Sequence, residues 1–176
     1  MKVDIRQERS NDYEAVFKVV ERAFCNATQA DHKEQFLVQR LRKSSAFVPE
    51  LSLVAEVDEQ IVGHILLTKS RILSGIASHQ LLVLAPVSVV PEFQRQGVGS
   101  KLIEAAHEKS KELRYISVVV LGHEDYYPRF GYKRADSFGI SFSFDAPPEN
   151  CMVIELQPGA LSGVSGRVDY AKEFFE

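Results

Sequence analysis

The chain has 176 residues, a formal net charge of −3, 45% hydrophobic residues and 26% charged residues. These values are typical of a globular protein with a substantial core, and the charge gives no reason to expect a nucleic-acid partner. The longest apolar run, residues 81–90, is too short to span a bilayer, and the charged N-terminus has no signal-peptide core. The two cysteines are isolated and the five histidines are scattered, so neither a disulfide framework nor a metal site is indicated. We therefore expect a cytoplasmic protein that binds no metal and no membrane.

The first half of the chain predicts two helices followed by a β-hairpin. Apolar residues recur at helical spacing after Asn11 and Asp12, which predicts a helix over residues 12–24, and a second helix is predicted over residues 33–43. Strands are predicted at residues 51–57 and 60–70, on either side of Asp58-Glu59.

The second half predicts a central apolar strand at residues 81–90, a helix ending near residue 113, and another apolar strand at residues 115–121. Two closing strands are predicted at residues 138–144 and 152–156. No internal repeat, low-complexity tract or linker interrupts the pattern, so we predict a single domain over residues 1–176.

The segment between the apolar strand and the next helix is the most informative in the chain. Residues 91–100 read Pro-Glu-Phe-Gln-Arg-Gln-Gly-Val-Gly-Ser. Glycines at 97 and 99 allow a tight turn, and the free N–H groups and positive dipole end of the following helix suit a phosphate group. A dinucleotide-binding turn would need a third glycine where Leu102 stands, and the Gly-Lys-Ser/Thr string of a P-loop is absent.

The spacing Gln94-x-x-Gly97-x-Gly99 after this strand resembles the pyrophosphate-binding motif of the GNAT superfamily of N-acetyltransferases, which bind acetyl-CoA. The predicted order β-α-α-β-β-β-α-β-α-β-β is similar to the GNAT fold. That fold is α/β (α+β mixed), with a mostly antiparallel mixed sheet and helices on both faces. The resemblance covers nearly the whole chain, although the specific motifs fall within residues 81–133.

The resemblance implies a set of residues that bind acetyl-CoA. Backbone N–H groups would hold the pyrophosphate, from Gln94, Arg95, Gln96, Gly97, Val98, Gly99 and Ser100. Backbone groups of Val87 and Val89 would pair with the pantetheine arm, with Ser88 and the Ser100 hydroxyl as lesser candidates. The Arg95 side chain either adds positive charge near the phosphates or is a solvated turn residue.

A second motif follows the strand at residues 115–121. The string Tyr-Tyr-Pro-Arg-Phe-Gly-Tyr at residues 126–132 is similar to a short GNAT helix, and with the segments at 141–142 and 158–161 it resembles the bacterial YhbS-like branch of predicted N-acetyltransferases. This resemblance implies that Tyr127 is the general acid beside the thioester sulfur; the alternative is a packing aromatic. Tyr126 is expected to be the packing residue of the pair. Pro128 fits the first turn of a helix, and Gly131 fits a helix end with positive φ.

The leading hypothesis is therefore an enzyme that moves the acetyl group of acetyl-CoA to a primary amine on a small molecule or peptide, by direct attack in a ternary complex. A second hypothesis is a CoA-binding sensor or interaction domain without turnover, and a third is transfer of a longer acyl group. The apolar strand carries no carboxylate, so the general base is unassigned among Glu92, His123, Glu124 and Asp125. The acceptor also stays open, and a homodimer is compatible with an exposed sheet edge.

Overall fold

The computed structural model describes residues 1–176 and contains three α-helices and nine β-strands. The helices are α1 (Tyr13–Phe24), α2 (Glu34–Arg42) and α3 (Val98–Glu112). The strands are β1 (Asp4–Gln7), β2 (Phe47–Val57), β3 (Gln60–Ser74), β4 (Ala77–Val89), β5 (Ser117–Leu121), β6 (Lys133–Arg134), β7 (Ile140–Ser141), β8 (Cys151–Glu155) and β9 (Gly166–Val168). None of the helices is long and apolar enough to cross a lipid bilayer.

The strands are hydrogen-bonded in the order β1-β2-β3-β4-β5-β8-β6, and β9 pairs with both β3 and β7. Antiparallel pairing joins β1 to β2, β3 to β9, β5 to β8 and β6 to β8, whereas β4–β5 and β7–β9 are parallel. The predicted fold class, an α/β protein with a mostly antiparallel mixed sheet, is confirmed.

The chain forms two compact units, residues 1–67 with 86–109 and residues 68–85 with 110–176. The prediction of one domain stays a prediction.

In the first unit, the helices bury apolar stripes against strands. Val16 and Val20 of α1 and Val38 and Leu41 of α2 are almost fully buried, because residues three or four apart share one helix face. In α3, Leu102, Ile103 and Ala106 are fully buried. These faces supply the apolar burial that stabilises the unit.

Helices lie on opposite faces of β3 in this unit. A Cβ atom built on Gly63 would lie 3.0 Å from Leu102 Cδ1 and 3.3 Å from Val98 Cγ1, so the Gly63 face contacts α3. The adjacent His64 ring contacts Ser52 on β2 and points to the other face, since side chains alternate along a strand. Arg42 of α2 lies on that second face as well, because it binds the Glu8 carboxylate, which is 3.7 Å from the His64 ring.

In the second unit, the central strands bury their side chains on both faces. The parallel pair β4–β5 sets Leu82 opposite Val118 and Leu84 opposite Val120, all nearly inaccessible to solvent. Leu81 and Val83 belong to a buried cluster with residues from several other strands and from the C-terminal segment: Ile72, Val119, Ala135, Ile140, Val153, Leu161, Val168 and Tyr170. The continuous apolar runs in the sequence are explained by this two-sided burial.

Two sequence-based predictions need correction. The strand predicted at residues 138–144 is confined to Ile140–Ser141, because Phe142 and Phe144 pack on the Tyr170 ring, with centroids 6.0 and 4.7 Å away, and do not extend the strand. The helix expected after β5 is one 3₁₀ turn, Tyr127–Phe130, which ends where Gly131 adopts a φ of 101°. Strands β6 and β9 were not predicted, since strands of two and three residues leave little periodicity to detect.

Candidate functional site

The loop between β4 and α3 is closed by its own glutamine side chains. Val90 N–H donates to the Val62 carbonyl at 2.9 Å, after which a 3₁₀ turn, Pro91–Phe93, leads into the loop. The Gln94 side-chain amide donates to the Val89 carbonyl, and that of Gln96 donates to the Glu92 carbonyl, both at 2.8 Å. The two side-chain amides therefore hold the loop in shape. The Gln94 N–H is also used inside the turn, where it donates to the Pro91 carbonyl at 3.3 Å, so the predicted role of this N–H in holding the pyrophosphate is not supported.

The second half of this loop presents backbone N–H groups at the start of α3. Arg95 has a φ of 59° and Gly97 a φ of 85°, so the chain turns sharply here, and a Cβ built on Gly97 would meet no atom within 4 Å. The Lys101 N–H donates to the Gly97 carbonyl at 3.1 Å, so the N–H groups of residues 98–100 precede the first intrahelical hydrogen bond. With the positive end of the helix dipole, they form an arrangement that can bind a phosphate anion.

The remaining predicted cofactor residues lie along β4 and around the loop. Val87 and Val89 are half-buried, and Ser88 is 2% exposed with a hydroxyl that has no hydrogen-bond partner. The Arg95 side chain is exposed, and Ser100 is half-buried. All predicted residues from Val87 to Ser100 thus fall within the strand end, the loop and the first helical turn, as the sequence indicated.

Tyr127 is the first residue of the 3₁₀ turn and is buried. Its exposed fraction is 8%, and its ring contacts the rings of Tyr126 and Tyr132 edge to face, with centroids 5.1 and 5.5 Å away. Burial raises the pKa of the Tyr127 hydroxyl well above its ordinary value, and the neighbouring Tyr126 adds to the rise. The hydroxyl is therefore a protonated hydrogen-bond donor throughout the physiological pH range.

Tyr126 packs against its neighbours, as its predicted role requires. The Arg129 guanidinium lies 4.2 Å from the centroid of the Tyr126 ring, and the Phe130 ring lies 5.3 Å from it. Pro128 occupies the first turn, where its missing N–H leaves no hydrogen bond unmade.

None of the four candidate bases is placed in a buried site. Glu92 is exposed and forms an ion pair with Arg22. His123, Glu124 and Asp125 are exposed, and His123 Nδ1 accepts a 3.2 Å hydrogen bond from the Asp125 N–H. These contacts are those of solvated surface charges, so the general base stays unassigned.

Both cysteines are free, and no group of three or more His, Cys, Asp or Glu side chains is arranged to hold a metal ion.

A buried polar network in the first unit escaped the sequence analysis. Glu8 accepts hydrogen bonds from Arg42 and from the Ser52 hydroxyl, the latter at 2.6 Å. Since the Ser52 proton is used on Glu8, the 3.0 Å contact between Ser52 Oγ and His64 Nε2 requires His64 to donate from Nε2. His64 Nδ1 then carries a lone pair and has no partner. The sequence feature that could have indicated this network is a histidine inside the apolar run of residues 61–67.

Gly122 and Asn150 were also missed. Gly122 follows β5 directly, and its N–H donates to the Asn150 carbonyl at 2.9 Å. The Asn150 side-chain amide donates back to the Gly122 carbonyl at 2.9 Å. A glycine at a strand end five residues before Tyr127 was the only signal available in the sequence.

Comparison with known proteins identifies relatives over most of the chain. Residues 49–134 match the family model described as an acetyltransferase (GNAT) domain. The uncharacterized N-acetyltransferase YjhQ of Escherichia coli K12 is 34% identical over 159 residues, which cover 87% of this chain and 85% of YjhQ.

Solved structures of two relatives superpose on the chain. The GNAT family N-acetyltransferase YhbS from Escherichia coli, in complex with CoA, has a TM-score of 0.88 and 26% identity, covering 100% of this chain and 93% of YhbS. A GNAT family acetyltransferase from Brucella melitensis, in complex with acetyl-CoA, has a TM-score of 0.80 and 31% identity, covering 98% of each chain.

Proposed function

Because the chain belongs to the GNAT family of acetyltransferases, we propose that it transfers an acetyl group from acetyl-CoA to a primary amine. The observation that carries the proposal is the loop of residues 94–100, whose N–H groups at the start of α3 are free to bind a phosphate. Nearly full-length relatives that bind CoA and acetyl-CoA support the same co-substrate for this chain.

The chemistry of the loop fits a pyrophosphate group. The space above Gly97 is open, so an anion can approach the backbone without meeting a side chain. We assign the pyrophosphate to the N–H groups of residues 95–100, since the Gln94 N–H already donates to the Pro91 carbonyl. We assign the pantetheine arm to the backbone of Val87 and Val89. Gln94 already occupies one lone pair of the Val89 carbonyl, which leaves the second lone pair for a ligand.

In the proposed reaction, the neutral amine nitrogen attacks the thioester carbonyl carbon. The C–N bond forms, the C–S bond breaks, the amine loses one proton and the sulfur gains one. The route is a direct transfer in a ternary complex, so no bond to the enzyme forms.

Tyr127 donates a hydrogen bond to the sulfur as negative charge develops on it. Because the Tyr127 pKa is raised, complete transfer of its proton to a thiolate of pKa ~8.5 is uphill by more than ~2 kcal/mol. Tyr127 therefore stabilises the leaving thiolate as a donor, and the net proton comes from solvent.

The acceptor must lose its proton before the attack. A lysine-like amine with a pKa of ~10.4 costs ~4 kcal/mol to deprotonate at pH 7.4, whereas an α-amine with a pKa near 8 costs less than ~1 kcal/mol. The carboxylates and the histidine near the two motifs are exposed surface groups, and none of them is held in a buried site as a base. We therefore expect amines of low pKa to be the better acceptors, which a rate comparison across an amine series would test.

The binding part of the proposal is tested by calorimetric titration with acetyl-CoA, CoA and NAD. We expect micromolar-range binding of acetyl-CoA and CoA, and no binding of NAD. Gly97→Ala should weaken acetyl-CoA binding at least tenfold, because the added Cβ both strains a positive φ and fills the anion approach. Gly159→Ala is the matched control, since Gly159 has a φ of 78° and equally open surroundings outside the loop. Equal affinities for these two variants would refute the assignment of the loop.

The catalytic part of the proposal is tested by measuring the rate at which the CoA thiol is released from acetyl-CoA in the presence of a panel of amines. Tyr127→Phe should lower turnover ~10²-fold with little change in acetyl-CoA affinity, the size expected for loss of one preorganised donor. Tyr126→Phe, which removes a hydroxyl from a packing ring, should retain turnover. Acetyl-CoA binding without turnover by any of the three proteins would favour the alternative of a CoA-binding sensor.

A further inference from the structure

The Tyr127 ring occupies the space where a side chain at residue 122 would lie. A Cβ atom built on Gly122 would be 2.3 Å from Tyr127 Cε2, 2.9 Å from Cδ2 and 3.2 Å from Cζ. The φ of Gly122 is outside the positive region, so other residues could adopt its backbone conformation. Position 122 therefore requires glycine because there is no space for a side chain, and not because of its backbone conformation.

Neither partner of this contact is free to move away. The Gly122 peptide is held on both sides by Asn150, through the reciprocal 2.9 Å hydrogen bonds. The preceding residue, Leu121, is the last of β5 and pairs with Cys151 of β8, so residues 121–122 and 150–151 form one continuous ladder. The Tyr127 ring is enclosed by the rings of Tyr126 and Tyr132.

We propose that Gly122, fixed by Asn150, is a positioning residue that sets where the Tyr127 hydroxyl lies. This inference rests on the proposed function, in which that hydroxyl donates to the leaving sulfur. A methyl group at residue 122 has to displace the ring, because the strand end is fixed and the ring edge is nearest to the new atom. Hydrogen-bond donation tolerates little displacement: a misplacement of ~1 Å can lower a rate ~10²-fold.

The test is a double-mutant cycle between Gly122→Ala and Tyr127→Phe, with kcat and KM measured for acetyl-CoA and an accepted amine. Gly122→Ala alone should lower kcat ~10- to 100-fold, with KM for acetyl-CoA changed less than about threefold. In the Tyr127→Phe background, the same substitution should lower kcat by less than about threefold, because the hydroxyl that it misplaces is already absent. An equal loss in both backgrounds, or no loss in the first, overturns the proposal.

A second variant covers the case in which Gly122→Ala does not fold. Asn150→Asp keeps the backbone carbonyl that accepts from Gly122 but replaces the amide donor with a carboxylate that repels the Gly122 carbonyl. We expect a smaller loss of kcat, ~3- to 10-fold, that again disappears in the Tyr127→Phe background. A loss that persists in that background overturns the positioning role.

Failure of the proposed function gives a different result. If Tyr127→Phe alone leaves kcat unchanged, the role of Tyr127 is wrong, and the positioning proposal, which depends on that role, is overturned with it. If the wild-type protein does not bind acetyl-CoA, the proposed function itself is wrong. The positioning proposal fails specifically when Tyr127→Phe is impaired and Gly122→Ala acts independently of it.

Discussion

His64 should contribute to a fall in the free energy of unfolding as the pH is lowered, and one substitution should remove that contribution. Its ring is fully buried, and burial, with the charge of Arg42, lowers the pKa of His64 from 6.5 to about 3. In the folded protein His64 is therefore neutral, while in the unfolded chain it takes up a proton below pH ~6.5. The unfolded state binds more protons between these two pKa values, so stability rises with pH across that window and is fully present above ~6.5.

The magnitude follows from the two pKa values. Each pH unit between them is worth ~1.4 kcal/mol, and between pH 7.5 and pH 5 the linkage relation gives a loss of ~2 kcal/mol from this one side chain. For a chain of this size, ~2 kcal/mol corresponds to a fall in Tm of ~4–8 °C. Other titrating groups contribute to the same pH dependence, so the measured quantity is a difference between proteins.

The assay is urea unfolding of the wild type and His64→Gln at pH 7.5, 6.5, 5.5 and 5.0. The glutamine amide can donate to Ser52 Oγ as Nε2 does, but it does not titrate. We expect the variant to lose ~2 kcal/mol less than the wild type over this range, whatever its stability at pH 7.5. His79→Gln, a change at an exposed histidine, is the control and should follow the wild type. Parallel curves for the wild type and His64→Gln would refute the argument that His64 is buried neutral.

Three further predictions concern stability. Arg42→Met should lower the free energy of unfolding by ~3–5 kcal/mol in urea unfolding, because it removes the cationic partner of the buried Glu8 side chain. Arg71→Met, which breaks an exposed pair with Asp169, should lower it by less than ~1 kcal/mol, and similar losses would contradict this reasoning. Gly63→Val should destabilise by ~1–3 kcal/mol and lower Tm, since even a Cβ there lies 3.0–3.3 Å from three packed atoms; an unchanged Tm would mean that α3 can shift. Acetyl-CoA at ~100 times its Kd should stabilise the protein by ~2.7 kcal/mol in thermal unfolding, while NAD should not.

The longer elements and the loop could be predicted because local sequence determines them. Helix α1 begins one residue after the predicted start, and β5 ends at the predicted residue 121, since apolar periodicity and burial coincide there. The position of the loop was predicted because glycine spacing and a helix start are local features. The closure of the loop by Gln94 and Gln96 could not be predicted, because these hydrogen bonds depend on backbone directions that are set only in the folded turn.

The errors and omissions arise from contacts between residues distant in sequence. The segment 138–144 has the composition of a strand, but its phenylalanines pack on Tyr170, and nothing local predicts that partner. The buried network joins Glu8, Arg42, Ser52 and His64, which four separate elements or turns contribute. The steric match between Gly122 and Tyr127 is the exception, because these residues are only five apart; it depends on where the 3₁₀ turn places the Tyr127 ring.

The closure of the 94–100 loop by amide side chains has a consequence for the thermodynamics of the proposed acetyl-CoA binding. Because Gln94 and Gln96 hold the turn through hydrogen bonds within the protein, the ordering entropy of the loop is lost during folding and does not have to be lost again on association. Amides carry no ionisable proton, so this preorganisation persists from acidic to alkaline solution. A ligand that binds such a loop meets a turn already closed within the protein, and its association rate should depend on diffusion and salt more than on a conformational step.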